Sequence, residues 1–211
     1  MTLTLLSYGE KYNMDTKMYA NYITTAKLNL NTAKIKNSCY SLNNIIVKEF
    51  AKANYSYEDE TGKAPITTKL HDQYNLFTYA LEGFHPLYFK IQELFWQTNT
   101  ARHEYYIQCW LNLYKQGNFV NWHDHYPSNL NAWHGFYCVD CEPSKTSYRL
   151  PNIKDTIDIN SENDLLVISK SDGDCHRTWP WQFPDRDRIT IAFDIVPREY
   201  QADIPGVWIP I

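Results

Sequence analysis

The chain has 211 residues, of which 44% are hydrophobic and 16% aromatic, and its formal net charge is −4. This composition is typical of one globular domain with a sizeable core. The acidic balance argues against duplex nucleic acid as a partner, and the sequence has no run of about 18 apolar residues that could cross a membrane. No signal peptide is recognisable, and five cysteines, an odd number, favour reduced thiols in a cytoplasmic setting, the host cytoplasm if the protein is viral.

The first part of the chain, residues 1–103, is expected to contribute extended pieces at 1–8 and 22–30 together with two supporting helices. In the first helix Ser41 is the candidate N-cap, and Pro86 suits the first turn of the second helix. Apolar residues at helical spacing define one face of each helix: Leu42, Ile45, Ile46 and Phe50 in the first, and Leu87, Ile91, Leu94 and Phe95 in the second.

From about residue 104 the hydrophobic period changes from that of a helix to two, which indicates strands. The clearest alternation is "YIQCWLNLY", in which Gln108, Trp110, Asn112 and Tyr114 share one face. Further strands are expected at "WHGFYCVD", "DLLVIS" and "RITIAFDIV", separated by turn residues. Helices followed by many short strands predict an α+β fold, with a β-sandwich or barrel at 104–198 and a C-terminal extension at 199–211, all in one domain spanning 1–211.

Three polar features lie on this set of strands. The segment "NWHDHYP" contains His123 and His125, "DCHRTWPW" contains His176, and the last strand carries Arg188 and Thr190 on one face. Iron(II) that binds a chelating cosubstrate and oxygen needs few protein ligands, and imidazole suits it. A nearby arginine can hold the carboxylate of an organic acid. This combination predicts an iron site next to an anion site.

The segments "WLNLYKQGNFVNWHDHYP" and "HRTWPWQFPDRDRITIAFDIV" resemble the core of the Fe(II)- and 2-oxoglutarate-dependent oxygenases. The resemblance is nearest to a prokaryotic and phage branch with a His-x-His-Pro motif. It implies a double-stranded β-helix, a jelly-roll or cupin-like core buttressed by the N-terminal helices. It also implies a hydroxylase that uses Fe(II) and 2-oxoglutarate. By this resemblance the cosubstrate contacts would be Arg188, Thr190, Asn112 and Tyr114.

The sequence departs from that family at the second metal ligand. The family usually has an acidic residue two positions after the first histidine, and here that position is His125, whereas Asp124 is out of register. Since residues 123 and 125 share a face on a strand and 124 does not, we expect His123, His125 and His176 to bind the metal. Asp124 is then expected to orient an imidazole, and it is also the alternative to His125 as a ligand.

Two other classes of function stay open. One is a cupin-type dioxygenase with three histidine ligands and no 2-oxoglutarate, in which Arg188 would have no role. The other is a non-catalytic jelly-roll binding module. The substrate is expected to be a small molecule or a protein side chain, and a homodimer is an open alternative to a monomer.

Residues outside the motifs carry weaker signals. Cys138 and Cys141 form a single Cys-x-x-Cys pair, which we interpret as two reduced thiols at a hairpin end because zinc sites usually need a second pair. Of the remaining histidines, His134 is the one that could point into the cavity.

Overall fold

The computed structural model describes residues 16–19, 22–50, 62–101 and 103–211; the extended piece expected at 1–8 lies outside them. The helices are α1 Thr32–Phe50, α2 Ile66–Lys69, α3 Phe84–Thr98 and α4 Arg198–Gln201. The strands are β1 Thr16–Tyr19, β2 Ile23–Lys27, β3 Tyr105–Tyr114, β4 Trp133–Asp140, β5 Ser144–Arg149, β6 Ile157–Ser161, β7 Leu165–Lys170, β8 Cys175–Thr178, β9 Arg188–Pro197 and β10 Ile209–Pro210. No helix in these described ranges is both long and apolar enough to cross a membrane.

The larger sheet has seven antiparallel strands in the order β1-β2-β7-β4-β9-β3-β10. Its longest strands are the neighbours β3 and β9, in which Asn112 lies opposite Thr190 and Tyr114 opposite Arg188. The sheet also takes in β2 from the N-terminal part and β10 from the C-terminal extension, which pairs with the outer edge of β3. An edge covered in this way is protected from pairing with other chains.

The smaller sheet has three strands in the order β6-β5-β8. None of these three strands was predicted. His176, which was expected to follow β7, lies within β8. Residues of β3, β4 and β9 line one side of an internal cavity and residues of β5 and β8 line the other. Two antiparallel sheets that enclose a cavity in this way form the predicted double-stranded β-helix, supported by helices in an α+β arrangement.

Both faces of β3 and β9 are buried. Helix α1 packs against β3 and β4, whereas α2 lies on the cavity side, where Thr68 contacts Asn112. Helix α1 starts nine residues before the predicted N-cap, so the assignment of Ser41 was wrong. The backbone N–H of Lys34 donates to the side-chain oxygen of Asn31 at 3.1 Å, and a cap of this kind at Asn31 lets the helix begin at Thr32. Helix α3 has Pro86 in its first turn, as predicted, and buries Leu87, Ile91, Leu94 and Phe95.

Candidate functional site

Three histidines converge at one end of the cavity. His123 and His125 lie in the segment that follows β3, and His176 lies on β8. One ring nitrogen from each lies within 4.8 Å of the other two. Three atoms at such separations are all within about 2.8 Å of a common point, which is close to the 2.0–2.1 Å of a typical metal–imidazole bond. The structure therefore brings together the three side chains that the sequence suggested as ligands.

The backbone holds two of these histidines against each other. The N–H of His123 donates to the carbonyl of His176 at 3.0 Å, and the N–H of His176 donates to the carbonyl of His123 at 2.9 Å. This reciprocal pair is an isolated antiparallel bridge. As a result, the segment after β3 is fastened to the smaller sheet at the point where both rings enter the cavity.

Asp124 does not join this group. Its side chain is exposed, and the cluster that could hold a metal contains His125 instead. The residue that contacts the His125 ring is Asp194 on β9, whose Oδ1 lies 2.7 Å from His125 Nδ1. The orienting position that we expected for Asp124 is therefore held by Asp194. The alternation on β9 could have revealed it, since residues 188, 190, 192 and 194 share a face.

A fourth histidine, His134 on β4, lies beside the three. Its ring is parallel to that of His125 with the centroids 4.3 Å apart, and it is stacked on His176 at 4.8 Å. His134 Nε2 lies 2.7 Å from Asp174 Oδ2, which also accepts a hydrogen bond from Ser169 at 2.9 Å. His134, Asp174 and His176 form a second group with a spacing that could hold a metal. Sequence reasoning had noted only that His134 could face the cavity.

The electrostatics favour neutral rings at most of these positions. Burial, together with the charge of His125, lowers the pKa of His123 to about 4. Burial and the other histidines hold the pKa of His176 well below its usual value, and burial likewise lowers the pKa of His134. For His125, burial acts to lower the pKa, but the charge of Asp194 and its hydrogen bond outweigh burial, so the pKa is raised. Neutral imidazoles have the lone pair that a metal requires.

The other end of the cavity contains Arg188, which is 1% exposed. Its Nε donates to the Ser144 hydroxyl at 2.9 Å, and its guanidinium carbon lies 4.6 Å from the centre of the Tyr114 ring. Its Nη1 is buried without a hydrogen-bond partner. Within the described residues no carboxylate pairs with Arg188, and the neighbouring Asp187 contacts Lys115 at 2.8 Å.

A row of polar side chains leads away from this arginine. The Asn112 amide donates to the Thr190 hydroxyl at 3.2 Å, and the Thr68 hydroxyl donates to the Asn112 side-chain oxygen at 2.7 Å. All four predicted cosubstrate contacts thus line one cavity together with the three histidines. Thr68, which comes from α2, was not anticipated because no strand pattern marks it.

The cavity has a volume of about 60 Å³. Its remaining walls are largely apolar and comprise Trp110, Val120, Gly135, Phe136, Thr146, Thr178 and Ala192. Apolar walls with a few convergent polar groups are typical of small-molecule sites.

The Cys-x-x-Cys pair lies outside the cavity. Cys138 and Cys141 are buried free thiols near the end of β4, and Cys141 Sγ donates to the Ile189 carbonyl at 2.9 Å. The described cysteines belong to no group with metal-binding spacing.

No protein-family model and no curated protein matches this chain. Solved structures do match its fold. A prolyl hydroxylase from Trichoplax adhaerens, in complex with a hypoxia inducible factor peptide fragment, is 14% identical with a TM-score of 0.62, covering 87% of each chain. A viral collagen prolyl hydroxylase from Paramecium Bursaria Chlorella virus-1, in a 2OG complex, is 11% identical with a TM-score of 0.52, covering 83% of this chain and 96% of that one. SnoK, a non-heme alpha ketoglutarate dependent carbocyclase from nogalamycin biosynthesis, is 9% identical with a TM-score of 0.57, covering 90% of this chain and 88% of that one. At these identities the matches establish the jelly-roll fold of this chain.

Proposed function

We propose that this protein is an Fe(II)- and 2-oxoglutarate-dependent oxygenase that hydroxylates a small molecule or a protein side chain. One observation carries the proposal: a fully buried arginine, which pairs with no carboxylate of the described residues, shares a cavity with three converging imidazoles. An unpaired buried charge is costly. A dianion that reaches from the arginine to a metal at the histidines would neutralise it.

The three histidines fit a metal ion. The Nε2 of His125 and the Nδ1 of His176 are buried without hydrogen-bond partners, which is expensive for polar atoms unless a ligand completes them. His123 Nδ1 is occupied by the Asn121 carbonyl at 2.8 Å, which leaves its Nε2 available. Bound there, iron(II) would supply the oxidative chemistry: decarboxylation of 2-oxoglutarate to succinate with O₂, coupled to hydroxylation of a C–H bond.

The residues at the arginine end would bind and orient the cosubstrate. Arg188 offers a planar fork of N–H donors that matches a carboxylate, and Thr190 offers a hydroxyl beside it. The Tyr114 ring under the guanidinium restricts the directions in which Arg188 can point. Asn112 holds the Thr190 hydroxyl in place, while Trp110 and Phe136 keep water from the cavity walls.

The two rival functions explain the arginine end less well. A three-histidine dioxygenase without 2-oxoglutarate would leave the charge of Arg188 buried and uncompensated. A binding module would have no need for the unpaired ring nitrogens. The fold neighbour bound to a peptide supports a protein side chain as one class of substrate, and the proposed likeness to a prokaryotic and phage branch rests on the sequence motifs alone.

Turnover in the absence of a substrate tests the proposal. Purified protein with Fe(II), ascorbate and oxygen should slowly convert 2-oxoglutarate to succinate, and His176→Ala should abolish this activity. Unfolding curves of both proteins would check that the variant is folded. Succinate formation that persists undiminished in His176→Ala would come from adventitious iron and would rule out this site as its source.

A further inference from the structure

The three side chains that converge in the candidate metal site are all imidazoles, and none is a carboxylate. A carboxylate does, however, contact the ring of one of them. Asp194 Oδ1 lies 2.7 Å from His125 Nδ1, and both side chains are about one-tenth exposed. Because Nδ1 faces Asp194, the ring nitrogen that remains for a metal is Nε2, which is the buried atom without a partner. We propose that Asp194 is a positioning residue that supplies negative charge to the metal through the His125 ring, in place of a carboxylate bound to the metal directly.

The second oxygen of Asp194 is also held. The Tyr126 hydroxyl donates to Asp194 Oδ2 at 3.0 Å, and Tyr126 follows His125 directly in the chain. The carboxylate is thus fixed from two adjacent residues. A carboxylate fixed in this way keeps the proton of the neutral ring on Nδ1 and makes Nε2 a better donor to a metal.

The other nearby carboxylates do not have this arrangement. Asp174 contacts His134, which is not one of the three rings that converge. Asp124 is exposed. In the described part of the chain, Asp194 is the carboxylate that contacts a ring of the converging set.

The position of Asp194 follows from the register of β9. Arg188, Thr190 and Ala192 face the cavity from this strand, and Asp194 is the next residue on the same face. One strand would therefore carry both the cation that binds the cosubstrate and the anion that balances the metal.

This inference rests on the proposed metal site, but it is tested without turnover. Binding of Co(II) alone, measured by competition with a chelator of known affinity, should weaken about 10- to 100-fold in Asp194→Asn. Asp124→Asn removes a carboxylate charge from the segment that carries His125 without removing a ring contact, and it should stay within about two-fold of the unchanged protein. Equal affinity in Asp194→Asn and the unchanged protein, or equal losses in both variants, would overturn the inference.

A second variant and a second measurement keep the inference testable if Asp194→Asn does not fold or binds no Co(II). Tyr126→Phe keeps the charge but frees one carboxylate oxygen, and it should weaken Co(II) binding roughly 2- to 10-fold. In the metal-free protein, the nitrogen-15 shifts of the His125 ring should report the proton on Nδ1, and this preference should weaken in both variants. If the unchanged protein binds no Co(II), the proposed function fails, and a ring preference that is unaltered in the variants would separately overturn the role of Asp194.

Discussion

The two ends of the cavity differ in whether their ionisable side chains have partners of opposite charge. At the histidine end carboxylates stand beside the imidazole rings, because Asp194 contacts His125 and Asp174 contacts His134. At the arginine end the buried guanidinium contacts the Ser144 hydroxyl and the Tyr114 ring, and no carboxylate of the described residues pairs with it. Carboxylates beside imidazoles with free lone pairs suit a cation, whereas a buried cation without a carboxylate partner suits an anion. The difference is consistent with the proposal of a separate ligand at each end of one cavity.

The largest expected effect distinguishes the roles of His125 and His134, whose rings lie parallel at the histidine end of the cavity. His125→Gln should weaken Co(II) binding more than about 100-fold, because loss of an outer partner of a ligand alone costs 10- to 100-fold. His134→Gln should cost much less, since His134 Nε2 is taken by Asp174. Chelator competition measures both variants.

The matched pair is useful because the two rings lie only 4.3 Å apart and are both buried. Thermal unfolding of each variant controls for general damage. A greater loss of metal affinity in His134→Gln than in His125→Gln would point to the second group, His134, Asp174 and His176, as the metal site.

The next largest effect concerns the arginine end. Arg188→Ala removes a charge-assisted pair worth about 1.5–3 kcal/mol, so 2-oxoglutarate should bind roughly 10- to 150-fold more weakly. Calorimetry with the Co(II)-loaded protein measures this. Binding of Co(II) alone should not change, because Arg188 contacts none of the three histidines.

Arg186→Ala provides the control for Arg188→Ala, since Arg186 is exposed and stacks on Phe183, away from the cavity. A parallel loss of cobalt and cosubstrate binding in Arg188→Ala would mean that the two ends are not independent. Unchanged 2-oxoglutarate binding would make Arg188 a structural residue.

The smallest expected effect concerns the hydrogen bond between Arg188 and Ser144. Ser144→Ala removes the acceptor for Arg188 Nε, and a single hydrogen bond is worth about 0.5–1.5 kcal/mol. The affinity for 2-oxoglutarate should fall roughly 2- to 10-fold, as measured by the same calorimetry. A loss as large as that of Arg188→Ala would indicate that Ser144 itself contacts the ligand.

The long central elements could be predicted from the sequence because their patterns are strong. Strands β3, β4 and β9 and helix α3 follow regular apolar spacing, and the same alternation placed Asn112, Tyr114, Arg188 and Thr190 on the faces that meet in the cavity. Strands β5, β6 and β8 were not predicted. They have four to six residues with polar side chains on their outer face, and their pairing depends on distant partners.

The contacts around the three histidines were harder to predict than the convergence of the histidines themselves. The pairing of Asp194 with His125 depends on how β9 lies against the segment after β3, and no local spacing encodes that. Asp124 attracted attention because it stands between two histidines, although its side chain points to solvent. The N-terminal half of α1 was missed because Asn31, its cap, lies well before the apolar run that begins at Leu42.

The reciprocal hydrogen bonds between His123 and His176 have a kinetic consequence. Because the backbone itself ties these two histidines together, the metal-free protein should keep its site assembled, unlike small domains that fold only around their metal. Metal could then leave and return without unfolding, at a rate limited by local opening of this bridge. Hydrogen exchange at the His123 and His176 amides would measure that opening directly, and so would give an estimate of how long a metal at the proposed site is retained.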